Sequence, residues 1–114
     1  MIEQIELTKR FDKISPLSIS DFLDSEGYKV FKQVLKMNPK DIINEISLSK
    51  ITGRGGAGFP AALKMESFAN EVGEKYIVCN ADEGEPGNFK DRYLMEKDPH
   101  QIIEGMLISA YSTT

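Results

Sequence analysis

The sequence has one cysteine, one histidine and no tryptophan among its 114 residues. The single thiol, Cys79, cannot form an internal disulfide, and it cannot hold an iron–sulfur cluster, which takes about four cysteine ligands. No Ser-His-Asp or Cys-His arrangement can be assembled convincingly from one histidine and one cysteine. We expect the lone His100 to make a surface or capping contact rather than to act as a catalytic base.

Long apolar runs and an excess of positive charge are also missing. No apolar stretch approaches the ~20 residues that span a bilayer, and the acidic start Met1–Glu6 lacks the basic region of a signal peptide. The net charge of -4 offers no basic face to nucleic acid. We therefore expect a soluble, cytoplasmic protein that binds no nucleic acid and does not insert into a membrane.

The composition that remains is typical of one small globular domain, with 40% hydrophobic and 28% charged residues. Residues 1–20 lack a clear period. Residues 1–25 are predicted to form an N-terminal extension, and residues 26–114 are predicted to form part of a domain. Apolar residues at helical spacing predict helices over about 26–36 and 39–48. Residues 75–79, which are β-branched and aromatic, predict a strand.

The last predicted helices begin near Pro60, at Asp91 and at Asp98-Pro99. The final helix carries an apolar face that needs a surface to cover, and the sequence stops soon afterwards at Thr114. We therefore expect the native sequence to continue and this piece to self-associate, with a naturally frayed C-terminus as the alternative. The apolar face consists of Ile103, Met106, Leu107 and Ala110.

A glycine-rich loop over residues 53–58 reads Gly-Arg-Gly-Gly-Ala-Gly and fits the pattern G-x-G-x-x-G. Glycines allow consecutive backbone N–H groups to converge on a phosphate, and a helix after the loop adds its positive end. Arg54 and Lys64 supply cations nearby. The spacing therefore indicates a phosphate site, although a tight turn packed against a neighbour remains open.

Two more specific kinds of phosphate-binding loop match residues 53–58 less well. A Walker loop needs Lys-Ser/Thr where Phe59-Pro60 stands, which excludes it. A Rossmann fingerprint needs a strand before the loop and an acid about 20 residues after it. Asp82 or Glu83 would supply the acid, but the segment 41–51 that precedes the loop looks helical.

An acidic loop over residues 80–87, Asn-Ala-Asp-Glu-Gly-Glu-Pro-Gly, follows the predicted strand. Ligands usually lie at the carboxyl end of such a strand. Its carboxylates repel one another, so stability alone does not favour them, but they accept hydrogen bonds from ribityl or ribose hydroxyls. A solvated acidic turn is the alternative. An EF-hand is excluded because Glu85 occupies the sixth position, where glycine is needed.

Together the two loops resemble those of the NADH-binding flavoprotein subunit of respiratory complex I, which has relatives in NAD-dependent hydrogenases and formate dehydrogenases. Residues 53–60 with Lys64 look like the FMN-binding loop of that family, and residues 80–87 are similar to its second signature. Two further segments also resemble segments of that family, Lys90-Asp91-Arg92 and Asp98-Pro99-His100.

The resemblance implies an α/β fold, in which residues 26–114 are the N-terminal part of a truncated Rossmann-like domain that binds FMN and NADH. In place of the family's commoner residues, this sequence has Ala61-Ala62 for Thr-Gly and Met65 for Trp. By position, FMN contacts are implied for Gly53, Arg54, Gly55, Gly56, Lys64, Asn80, Asp82 and Glu83, and NADH contacts for Phe59, Phe68 and Glu85.

The implied function is hydride transfer from NADH to FMN, followed by electron transfer to iron–sulfur clusters, within a complex that contains other subunits. The flavin would carry this chemistry, so no side chain is expected to be catalytic. The family's later parts, including the domain that binds a 4Fe–4S cluster, are absent here, so this piece alone is expected to be inactive. From the residues alone, the alternative is a non-catalytic nucleotide- or phosphate-binding module.

Overall fold

A computed structural model describes residues 5–114, which fall into two compact units. Within the described residues, the first unit comprises 5–30 and Cys79–Gly105, and the second comprises Phe31–Val78 and Met106–Thr114. The division into an extension over 1–25 and a domain over 26–114 stays a prediction. The described helices are α1 (Ile19–Asp24), α2 (Lys29–Val34), α3 (Pro39–Ser49), α4 (Ala61–Ala69), α5 (Lys90–Lys97) and α6 (Pro99–Ser112).

Local capping explains where several helices begin. The Ser18 hydroxyl accepts a hydrogen bond from the backbone N–H of Asp21 (3.2 Å) and donates to its carboxylate (2.6 Å), so this serine caps α1. Asn38 accepts from the backbone N–H of Lys40 (3.0 Å), and Pro39 is the first residue of α3. The predicted helix over 39–48 is therefore confirmed.

The helix predicted over 26–36 is shorter than expected, because α2 begins only at Lys29. Glu26 and Tyr28 adopt left-handed backbone conformations, with φ of 67° and 57°. Residues other than glycine seldom adopt this region, and it interrupts a right-handed helix. The sequence pattern alone does not show this turn.

The strand predicted over 75–79 does not form. Residues 5–114 contain helices and one isolated bridge, between Thr52 and Pro60, but no β-strand. A strand is stabilised by hydrogen bonds to a neighbouring strand, and no other described segment provides such a neighbour for 75–79. The α/β, Rossmann-like fold is thus not confirmed, and the described chain is mostly helical.

The core of the first unit is built around Phe22, which is fully buried. The His100 ring stacks on Phe22 with centroids 5.3 Å apart, Tyr28 meets it edge-on at 5.0 Å, and the Arg10 guanidinium lies 4.8 Å from its centroid. His100 is therefore half-buried within this cluster, so the expected surface contact is wrong. The apolar pattern gave no sign that a histidine would pack on a core aromatic ring.

An ion pair ties the segment before α1 to the start of α6. Arg10 Nη1 lies 3.4 Å from Asp98 Oδ2, and Arg10 Nε donates to the Ser25 hydroxyl at 2.9 Å. Asp98 is only 1% exposed. A buried carboxylate needs a partner of this kind because its desolvation is costly.

The second unit buries one apolar side chain from each of α2, α3 and α4. Val34, Ile42 and Ala62 are buried there, and α3 packs on α4. The Tyr111 hydroxyl donates to the carbonyl oxygen of Met37 at 3.0 Å, which anchors the end of α6 in the same unit. Among residues 5–114, no helix is long and apolar enough to cross a membrane.

Candidate functional site

The glycine loop is closed at its base by two backbone hydrogen bonds. Gly53 N–H donates to the carbonyl oxygen of Phe59 at 2.8 Å, and Ala61 N–H donates to that of Ile51 at 3.0 Å. The chain then enters α4 directly. Residues 53–59 therefore form a short loop with a fixed base at the start of a helix.

Two of the loop glycines are required by the backbone itself. Gly56 has φ of 111° and Gly58 has φ of 61°, where side chains with a Cβ are strained. Gly55 differs, because its φ is not positive and a Cβ placed there would meet no atom within 4 Å. A tight turn packed against a neighbour therefore does not account for Gly55, whereas a close-approaching ligand would.

The end of α4 next to this loop carries uncompensated positive charge. Its N-cap, Pro60, makes no side-chain capping hydrogen bond, and the first turn holds no acidic residue. Backbone N–H groups at such an end favour an anion. The Lys64 ammonium, one turn into α4, makes no hydrogen bond or ion pair within residues 5–114.

A cleft of about 330 Å³ lies against the loop and the first turns of α4. Arg54 does not line it, because its guanidinium folds back onto Thr52, with 2.6 Å to the hydroxyl and 3.3 Å to the carbonyl oxygen. The implied contact of Arg54 with FMN stays a prediction. The lining residues are Gly53, Gly55, Ala57, Gly58, Phe59, Ala61, Lys64 and Met65.

The two aromatic residues implied in NADH binding line one further cleft, of about 500 Å³. Phe59 is 55% exposed there, and Phe68 lies on the face of α4 that carries Leu63 and Lys64. Lys64 and Phe59 line both clefts. The second unit therefore brings Gly53, Gly55, Gly58, Lys64 and both phenylalanines into adjoining clefts, whereas Gly56, an implied FMN contact, lines neither of them.

The acidic loop lies in the first unit and is organised by its own side chains. Asn80 Oδ1 accepts from the backbone N–H of Asp82 at 3.0 Å, a local turn that asparagine favours. Glu85 Oε2 accepts from Asn88 Nδ2 at 2.7 Å. The Asp82 carboxylate makes no hydrogen bond among the described residues.

Glu83 has a structural partner that the sequence did not indicate. Its two carboxylate oxygens accept from the backbone N–H groups of Asp91 (2.9 Å) and Arg92 (3.1 Å), in the first turn of α5, where Phe89 at the N-cap provides no side-chain cap. A carboxylate at a helix N-terminus is favourable. Because Glu83 lies eight residues before Asp91, no local capping spacing reveals this contact.

Lys90 offsets part of the crowded negative charge around this loop. Its ammonium donates to Asp91 Oδ1 at 2.8 Å. That hydrogen bond, together with the charges of Asp91, Glu83 and Glu85, raises the pKa of Lys90 above its usual value. The acidic loop is therefore partly neutralised, which weakens the argument that its carboxylates are costly to the fold.

The implied site residues fall into both units. Gly53, Arg54, Gly55, Gly56, Phe59, Lys64 and Phe68 belong to the second unit, and Asn80, Asp82, Glu83 and Glu85 belong to the first. Their convergence on one flavin and one nucleotide stays a prediction. The described residues contain no group of three or more His, Cys, Asp or Glu side chains that could hold a metal ion, and Cys79 is exposed.

Comparison with known proteins identifies the family of this chain. Residues 46–114 match the Nuo51 FMN-binding domain, a stretch that contains both loops and both clefts. The chain belongs to this family. The resemblance on which the implied site residues rest is thereby confirmed.

The identities of similar known proteins agree with this family assignment. The chain is 45% identical over 106 residues to an NADH-quinone oxidoreductase subunit of Aquifex aeolicus (strain VF5), which covers 93% of this chain and 25% of the relative. The corresponding Escherichia coli (strain K12) protein is 39% identical over 104 residues, covering 89% and 23%. The NADP-reducing hydrogenase subunit HndC of Solidesulfovibrio fructosivorans is 42% identical over 106 residues, covering 92% and 21%. The chain thus spans about a quarter of the length of these relatives.

Proposed function

We propose that this chain supplies one part of an FMN- and NADH-binding site in a subunit that oxidises NADH. In this role the glycine loop and Lys64 bind the FMN phosphate and ribityl chain, and Phe59 and Phe68 flank the adenine of NADH. The relatives named above are subunits of an NADH-quinone oxidoreductase and of an NADP-reducing hydrogenase. These names support the proposal.

The observation that carries the proposal is the open space above Gly55. Nothing in the described fold requires glycine at this position, yet a ligand phosphate that approaches the backbone within hydrogen-bonding distance would leave no room for a Cβ. The uncapped start of α4 and the free ammonium of Lys64 supply the matching positive charge. The residues present therefore fit the phosphate end of FMN.

The cleft beside α4 fits the nucleotide part of NADH. Two aromatic side chains on one cleft offer flat apolar surfaces on which a base can stack. Phe59 belongs to the loop and Phe68 to the last turn of α4, so the same short segment would place FMN and NADH next to each other. This arrangement requires no general base from the protein.

The acidic loop would contribute hydrogen-bond acceptors for hydroxyl groups. Asp82 is the most available of its carboxylates, because its oxygens make no hydrogen bond within the described chain. Glu83 would act chiefly by holding α5 in place through Asp91 and Arg92. Glu85 would take a polar contact with NADH.

FMN, when bound, would supply the hydride acceptor and release electrons one at a time. This chain would bind and orient the flavin and the nucleotide. The clusters that receive the electrons would be held outside residues 1–114, since Cys79 alone cannot ligate one. We further propose a cytoplasmic location and association with other subunits of an NADH-oxidising complex.

The proposal is tested by replacing the matching segment of the Aquifex aeolicus relative with this chain. Flavin content and NADH–ferricyanide activity of the chimeric subunit are then compared with those of the parent. Retained flavin and activity would support the proposal. A chimera that assembles and binds inorganic phosphate but neither FMN nor NADH would favour the alternative, a non-catalytic phosphate-binding module.

A further inference from the structure

Lys75 joins the ends of two helices in the second unit. Its ammonium donates to the carbonyl oxygen of Ala69, the last residue of α4, at 2.7 Å, and to that of Thr113, just after α6, at 3.0 Å. The final carbonyl groups of a helix lack intrahelical partners and carry partial negative charge, so a cation is favoured there.

The same ammonium also contacts the ring of Phe68. It lies 5.6 Å from the ring centroid, over the ring, which is within the range of a cation–π interaction. Since Phe68 directly precedes Ala69, Lys75 holds both the ring and the backbone one residue after it. The last turn of a helix otherwise tends to fray, and Phe68 lies in that turn.

Phe68 lines two clefts of the second unit. One is the cleft shared with Phe59, and the other, of about 280 Å³, is lined by Lys64, Met65, Tyr76 and Thr113 among others. The position of the Phe68 ring therefore sets the shape of the cleft in which the adenine is proposed to lie. A ring that is ordered before binding loses less conformational freedom when the base stacks on it.

We propose that Lys75 is a positioning residue for the nucleotide cleft, which fixes the Phe68 ring through a cation–π contact while it caps the ends of α4 and α6. The proposal rests on the proposed function, because the benefit to NADH depends on Phe68 flanking the adenine. A purely structural role would be the capping of the helix ends alone. Loss of these caps alone would loosen the Phe68 ring only together with the backbone of the last turn of α4.

The two roles are distinguished by nuclear magnetic resonance of residues 1–114 with labelled phenylalanine rings. In Lys75→Met, which keeps most of the length of the side chain but removes its charge, the Phe68 ring should become mobile even where the backbone of the last turn of α4 keeps its order. Lys75→Arg should restore its order, because a guanidinium can also stack on the ring and donate to carbonyl groups. The matched control is Lys36→Met, which changes an exposed lysine of the same unit.

An unchanged Phe68 ring in Lys75→Met, with only the amide signals near Ala69 and Thr113 altered, would overturn the proposal. If Lys75→Met does not fold, Phe68→Leu gives a second test. The ring of Phe68 should shield the ε-methylene protons of Lys75, so their signal should move in Phe68→Leu. A signal that stays in place would also overturn the proposal.

Titration of the chimeric subunit with NADH then connects the ring to the nucleotide. We expect Lys75→Met to weaken NADH binding roughly threefold, Lys75→Arg to restore it, and FMN binding to change in neither variant. Equal NADH affinity in wild type and Lys75→Met would count against the positioning role of Lys75. Absence of NADH binding by the chimeric subunit without a Lys75 substitution would instead count against the proposed function, and the Phe68 ring measurements would still decide the role of Lys75.

Discussion

The phenolic oxygen of Tyr28 lies 2.8 Å from Nδ1 of His100. Both rings pack on the fully buried Phe22, so this partly buried hydrogen bond lies beside the core of the first unit. It connects the turn before α2 to the first turn of α6. The backbone N–H of Tyr28 also donates to Glu104 Oε2 at 3.0 Å, which adds a second link to the same helix.

The first prediction concerns this hydrogen bond. Tyr28→Phe keeps the ring but leaves His100 Nδ1 without its partner, so the free energy of unfolding should fall by about 1 kcal/mol. Urea denaturation followed by circular dichroism measures the change. The matched control, Tyr93→Phe, removes an exposed hydroxyl and keeps the ring contacts with Phe89 and Lys97. A loss as large in the control would contradict the specific role of Tyr28.

The same tyrosine predicts how stability depends on alkaline pH. Burial and, secondly, the Glu104 carboxylate raise the pKa of Tyr28 above its usual 10.0. The folded state therefore favours the neutral phenol, and this contribution is complete below about pH 10 and is lost as pH rises through the folded pKa. The decline of stability at alkaline pH should be shallower in Tyr28→Phe than in the wild type. Lys29 and Lys90, with raised pKa values, contribute to the decline in both proteins.

The second prediction tests the space above Gly55. Gly55→Val should keep the fold, because a Cβ there meets no protein atom, but it should block the approach of the flavin to the backbone. We expect loss of flavin from the chimeric subunit with an unchanged thermal unfolding temperature. Gly105→Val, at a helical glycine where the space is also open, is the control and should retain flavin. Normal flavin content in Gly55→Val would remove the main support for the phosphate site.

The third prediction separates two neighbouring carboxylates. Glu83→Gln should mainly destabilise α5, since the side chain accepts from the backbone N–H groups of Asp91 and Arg92 and an amide can accept through only one oxygen. Glu85→Gln should mainly weaken NADH use, by roughly tenfold, the effect of losing one polar contact. For both variants, circular dichroism of the isolated chain measures helix content, and titration of the chimeric subunit with NADH measures nucleotide binding. A stable Glu83→Gln variant with weakened NADH binding would reverse the two roles.

The sequence predicted structure best where the residues that determine an element lie close together along the chain. Asn38 and Pro39 fixed the start of α3, because a cap and a first-turn proline act within a few residues. The ion pair between Arg10 and Asp98 spans 88 positions, and nothing local to either residue reveals it. The segment 75–79 has the composition of a strand, yet composition cannot supply the neighbour that a strand needs.

The candidate site shows the same difference between features set by neighbouring residues and features set by distant ones. The glycine loop and its cations were visible as a pattern, and the family resemblance added Phe59 and Phe68, which line one cleft. Lys75 was missed because its partners include two backbone carbonyl groups, which every residue has. The cap formed by Glu83 was missed because it depends on how the acidic loop folds back onto α5.

The last prediction separates recognition of the phosphate from recognition of the flavin ring. The isolated chain should bind FMN weakly or not at all, and should lack NADH–ferricyanide activity, because its glycine loop must be ordered at about 1–2 kcal/mol per residue. Any binding that occurs should favour FMN over riboflavin, which has no phosphate, since the start of α4 and Lys64 act on that group.

Lys64→Met should lower the affinity for FMN by roughly tenfold, the loss of one charge-assisted contact, and leave riboflavin unaffected. Lys36→Met should change neither affinity. Fluorescence titration of both flavins against the chain and against the chimeric subunit measures these differences. Equal affinity for FMN and riboflavin in the chimeric subunit would show that the loop does not read the phosphate, and submicromolar FMN binding by the isolated chain would show that these residues alone suffice for the site.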